Sequence, residues 1–119
     1  MRPSPIILSS QETADATDIL QGTRLQTVPA GGYLTFELQA AANEAANNVT
    51  VSVQMPGGDT PMNATRIPCG NTSGLAGVID DRTCLTATFP ITQGGHCVFS
   101  SDQTGTAPLS WRVTYTPAV

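Results

Sequence analysis

The chain has 119 residues, the size of one ordinary domain, and can bury roughly two-thirds of the surface that the open chain exposes. Hydrophobic residues make up 39% of it and charged residues only 12%, the reverse of the balance that leaves a chain disordered. The net charge is −4, lysine is absent, and the basic residues Arg2, Arg24, Arg66, Arg82 and Arg112 are scattered, which argues against nucleic acid and anionic membrane as partners.

No apolar run approaches the ~18 residues that span a bilayer. "PIILSS" is too short for the apolar region of a signal peptide, and only Arg2 precedes it. The expectation is a protein made in a cytoplasm and not exported by a signal peptide.

Residues 1–10, "MRPSPIILSS", carry two prolines and then a short apolar run. They read as an extended arm that docks on its own sheet or on a neighbour, with Pro5, Ile6, Ile7 and Leu8 as candidate assembly contacts. "SSQETADATDIL" offers a short helical turn, with Ser10 as cap, Glu12 and Asp15 near its positive end, and Ile19 and Leu20 packed beneath. Residues 1–21 are thus an arm with a helical turn, and 22–119 a single β domain.

From Gly22 onward the period is two. Leu34, Phe36 and Leu38 fall on one face, with Tyr33, Thr35 and Glu37 on the other. Val49, Val51, Val53 and Met55 alternate with Thr50, Ser52 and Gln54. Leu85, Ala87 and Phe89 form a third inward set, and Leu109, Trp111, Val113 and Tyr115 a fourth. Alternation of this kind belongs to antiparallel sheets with one wet face. The turn-forming segments are "PGGD" at 56–59, "CGNTSG" at 69–74, "DD" at 80–81 and "DQTG" at 102–105, and "AAANEAANN" at 40–48 reads as a surface loop. The fold expected is all-β, an antiparallel β-sandwich or small jelly roll of about seven to eight strands with an extended N-terminal arm.

Two phrases share a design: "VPAGGYLTFEL" at 28–38 and "FPITQGGHCVFS" at 89–100. Each places a proline, a glycine pair, a ring residue and then a phenylalanine three positions after the ring. They read as two sheet entrances, in which proline withholds a ladder donor and the glycines allow positive φ or a bulge. Tyr33 and His96 then face out, while Phe36, Phe99 and Cys97 face in.

Candidate chemistry is sparse. Three cysteines cannot all pair, so no disulfide framework is present. Strand parity separates Cys84 from Cys97 and leaves Cys69–Cys84 as the one pairing to entertain, worth about 3 kcal/mol if closed, against a favoured reading of three free thiols. A zinc site wants close-spaced pairs such as C-x2-C, and adjacent His96 and Cys97 point to opposite faces. His96 is the only histidine, without a nucleophile elbow near it. Asp80 and Asp81 lack the alternating oxygen ligands of a calcium loop, and neither glycine pair precedes a helix that would hold phosphate. No catalytic, metal or cofactor residue is therefore assigned. Sequons at Asn48, Asn63 and Asn71 indicate exposure. Tyr33, Trp111 and Tyr115 would offer a sugar-stacking platform if exposed, but the alternation around Trp111 and Tyr115 favours the core.

"ILQGTRLQTVPAGGYLTFELQ", "NNVTVSVQMPGGDTP", "LAGVIDDR", "PITQGGHCVFS" and "WRVTYTP" resemble small structural proteins of tailed bacteriophages and their metagenomic relatives. The likeness runs over most of residues 19–117 and includes no signature motif, so no functional residue is carried over. It implies a virion component, most simply a capsid decoration or cement protein. Such proteins are small, β-rich and oligomeric, often trimeric, and bind the major capsid protein or another virion protein. The expectation is a non-enzymatic virion protein that also binds itself, without cofactor. The alternatives are an extracellular filament subunit joined by arm exchange and a carbohydrate-binding module.

Overall fold

The computed structural model describes residues 4–12, 15–40, 48–67, 85–104 and 109–118. Seven strands run through them: β1 (Ile6–Glu12), β2 (Gly32–Ala40), β3 (Asn48–Gln54), β4 (Met62–Arg66), β5 (Leu85–Ile91), β6 (Val98–Thr104) and β7 (Leu109–Pro117). They make two antiparallel sheets, ordered β1-β7-β2-β5 and β4-β3-β6. The fold is an all-β sandwich, as the alternation requires.

The core lies between the sheets and follows the period of two. Leu34, Phe36 and Leu38 of β2, Val49, Val51 and Val53 of β3, and Leu109, Val113 and Tyr115 of β7 are wholly buried. Each such side chain contributes roughly 1.5–3 kcal/mol of transfer free energy. Phe99 of β6 ties the layers together, meeting Phe36 edge-on at 5.2 Å between ring centres and Trp111 at 5.9 Å. Tyr115 keeps its hydroxyl satisfied by donating to the Ala30 carbonyl at 2.9 Å. Trp111 Nε1 donates to Glu12 Oε2 at 3.2 Å.

The N-terminal segment docks on its own sheet. β1 pairs with β7 without interruption, from Ile6 opposite Tyr115 to Glu12 opposite Leu109. The helical turn expected over "SSQETADATDIL" is not formed among the described residues, and Ser10 and Glu12 belong to β1. Residues 15–28 run instead as a strap along the outer edge of β6 and over the turn before it. Ala16 and Ser101 exchange both backbone hydrogen bonds, at 3.0 and 2.9 Å, and Ile19 N–H donates to the Phe99 carbonyl at 2.6 Å. The competition is decided by the backbone: one helical turn leaves most of its own N–H and C=O groups unpaired, whereas an open strand edge satisfies them. Ile19 and Leu20 are buried as expected, beneath a strap in place of a helix.

Glycine acts differently in the two repeated phrases. Gly94 has φ 75°, the left-handed conformation expected of a turn into a strand. Gly32 does not have positive φ; it lies in β2 where a Cβ would collide with the Thr116 carbonyl oxygen and stand 3.0 Å from Cα of Pro117. At "PGGD", Gly57 and Gly58 take φ 97° and 103°, and Met55 N–H closes the turn on the Asp59 carbonyl at 2.7 Å. The turn expected at "DQTG" does not begin at Asp102: Asp102–Thr104 continue β6 in register with Asn48–Thr50 of β3. The segments holding Cys69, Cys84, Asp80, Asp81 and Asn71 lie outside the described residues, as do residues 41–47.

Candidate functional site

The candidate assembly residues separate by strand parity. Ile6 and Leu8 are half-buried and pack on the core opposite Tyr115 and Val113, whereas Ile7, opposite Thr114, is 62% exposed. Pro5 is exposed immediately before the strand. Only part of the segment therefore faces outward: the Ile7 side chain and the outer edge of β1 from Ile6 to Gln11.

The outer face of the four-stranded sheet is built in rows across the ladder. Thr88, Thr35, Thr114 and Ile7 lie side by side on β5, β2, β7 and β1. The next row holds Pro90, Tyr33 and Thr116, with Tyr33 46% exposed. In the row on the other side, Glu37 stands between Thr86 and Arg112. Thr35 and Thr88 join hydroxyls at 3.1 Å. Arg112 donates to Glu37 Oε1 through Nε at 2.8 Å and to Oε2 through Nη2. That fork holds the Glu37 carboxyl below the usual carboxylate range, first through the hydrogen bonds of Arg112 and against the effect of burial. This part of the face is therefore hydroxyl-rich, and its paired charges neutralise each other. Such a surface meets another protein without stripping water from an unpaired charge.

A cleft of about 570 Å³ opens between β5 and the β3–β4 turn. Met55, Pro56, Pro61, Phe89, Pro90 and Ile91 line most of it, with Asp59 on its wall.

His96 is not a simple water-facing side chain. Its Nδ1 lies 2.6 Å from the Gln26 carbonyl oxygen and its Nε2 2.8 Å from Asp18 Oδ2, so the ring stands between two acceptors on the strap. The side chain keeps 36% of its exposure. The Gln26 carbonyl, followed by the Asp18 carboxylate, raises the imidazole pKa above its ordinary 6.5, against the opposing effect of burial. Asp18 Oδ1 is buried with no hydrogen-bond partner. Sequence reasoning missed this clamp because its halves lie 78 residues apart and only the strap brings them together.

Cys97 is buried and unpaired, as parity requires. Burial pushes its thiol up to about 12, so it stays protonated and unreactive at neutral pH. It packs as a small hydrophobe, with its Sγ 3.8 Å from Met55 Sδ. Trp111 is 4% exposed and Tyr115 wholly buried, so these rings and Tyr33 do not make an exposed sugar platform. Among the described residues no three His, Cys, Asp or Glu side chains come together to hold a metal ion. No helix among them is long and apolar enough to cross a membrane.

The arrangement of strands can be set beside known proteins. A chain in the acidic stable capsid structure of Helicobacter pylori bacteriophage KHP30 superposes with a TM-score of 0.55 over 97% of this chain and 89% of that one, at 15% identity. The likeness is one of fold. No protein-family model and no curated protein sequence matches the chain.

Proposed function

We propose that this chain is a structural protein of a bacteriophage virion, most simply a decoration or cement protein that binds the shell lattice and itself. The observation that carries the reading is the fold shared, over nearly the whole of both chains, with a component of a phage capsid structure. It agrees with the resemblance of the sequence to small structural proteins of tailed phages. Two physical features support it. The outer face of the four-stranded sheet carries threonine hydroxyls and an internally paired Arg112–Glu37, and can be covered by a protein lattice at low desolvation cost. The one thiol described is inert, and the histidine is engaged on both nitrogens by the fold itself.

In this reading the chain acts by adhesion, with no catalysis and no cofactor. Its partners are the major capsid protein or another virion protein, and a second copy of itself. Gradient-purified particles of the encoding phage, analysed by mass spectrometry, should contain the chain at a fixed ratio to the major shell protein. Its absence from particles, with the protein present in the infected lysate, would refute the reading.

A further inference from the structure

We infer that the outer edge of β1 is a docking edge for a second copy of this chain, the two β1 strands pairing antiparallel about Ser9. The two sheets have four edge strands, β1 and β5 in one and β4 and β6 in the other. An open edge is a template for another strand, and sandwich proteins blunt the edges that they do not use. Three of these edges are blunted. The strap covers β6 through Ala16 and Ile19. β4 has five residues, its ladder is broken by a register shift between Val51 and Val53, and the N–H of Ala64, at φ 48°, bonds to Ser52 Oγ. β5 carries Pro90, which has no donor to offer.

β1 has none of these devices. It is seven residues long, in unbroken register with β7, and contains no proline, glycine or lysine. Ile7 stands exposed beside the edge, and among the described residues nothing bonds to the outer side of Ile6–Gln11. The strand is also self-complementary. Antiparallel pairing about Ser9 sets Ser9 against its own copy, Leu8 against Ser10, Ile7 against Gln11 and Ile6 against Glu12. No two like charges meet, and no charge faces the two-fold axis. The result is an isologous contact that closes at two copies and joins two four-stranded sheets into one of eight strands. Pairing β1 with β5 of a neighbour would meet Pro90, which disfavours an open chain of subunits.

This inference extends the self-association in the reading above and is tested on the purified chain alone, so its failure and the failure of the virion assignment are separate results. Ser9 is exposed and opposes itself across the axis, so charge placed there reports on the register. Sedimentation of the wild type should give a dimer that dissociates on dilution. Ser9→Lys and Ser9→Glu, each folded by circular dichroism, should each weaken it by roughly tenfold or more, and an equimolar mixture should restore it as a mixed dimer. A wild type that stays monomeric at all concentrations would overturn the proposal; in that case the edge serves a strand of a different protein. A Ser9→Lys dimer as tight as the wild type, or weakened variants that the mixture fails to rescue, would also overturn it.

Discussion

Gly32 and His96 show how single residues in this fold are held to their identities by different physics. Gly31 and Gly32 read alike in the sequence, but only Gly32 is pressed against a neighbouring strand, where Thr116 and Pro117 of β7 occupy the space of a Cβ. At Gly31 the nearest atom to an added Cβ is the Ile91 carbonyl oxygen at 3.8 Å, an ordinary contact. Gly32→Ala should therefore lower the unfolding free energy by roughly 1–3 kcal/mol, the usual cost of forced overpacking, whereas Gly31→Ala should be nearly neutral. Urea denaturation of the two variants checks the pair, and equal losses would contradict the assignment. His96 makes a prediction in pH. Its folded pKa lies above the unfolded value of about 6.5, so the charged ring's contribution to stability is fully present below that pH. It is lost as pH rises through the folded pKa. Neutral imidazole has one N–H and can serve only one of the two acceptors, Gln26 O or Asp18 Oδ2. Denaturation midpoints measured from pH 6 to pH 8 should fall for the wild type and stay nearly level for His96→Gln. Parallel curves would show that the clamp does not titrate in this range. Above pH 8 Cys97 adds its own fall to both proteins, because its folded thiol is pushed up to about 12 while an unfolded thiol titrates at about 8.5.

At the scale of elements, what was legible in the sequence was parity, and what was not was partnership. Val49, Val51 and Val53 announce a buried face by spacing alone, and Phe36, Phe99 and Trp111 fall where alternation places them. Residues 15–28 could not be read this way. Ser10, Glu12 and Asp15 carry helix-capping chemistry, but the backbone of Ala16 and Ile19 finds a stronger claim in the edge of β6, which is remote in sequence. The Asp18–His96 clamp was hidden for the same reason: each half is unremarkable until the strap crosses the sheet. The strap's role as an edge cover gives its own prediction. Ala16→Pro removes the N–H that bonds to Ser101, and should lower stability by about 1–3 kcal/mol and raise the aggregation rate by exposing β6. Light scattering during thermal ramps would show it, and an unchanged aggregation onset would mean that the strap is not what protects that edge.

At the scale of the whole molecule, the account joins three observations: a sandwich with its edges selectively blunted, an outer face whose charges are paired internally, and a fold shared with a component of a phage capsid. All three are consistent with the virion role proposed above, and the third is a likeness of fold. Composition carried part of this already, since a surface low in charge and rich in threonine is suited to burial against a lattice. The shared fold was outside the reach of residue identity, because 15% identity preserves the alternation of a sandwich and little of its wording. The central claim is that the chain is part of the shell, and it is tested most directly by a cryo-electron microscopy map of the encoding phage's particles at side-chain resolution. The account predicts density for a seven-stranded sandwich at repeated lattice positions, into which the Phe36–Phe99–Trp111 cluster fits. A complete shell with every density assigned to other chains would contradict it.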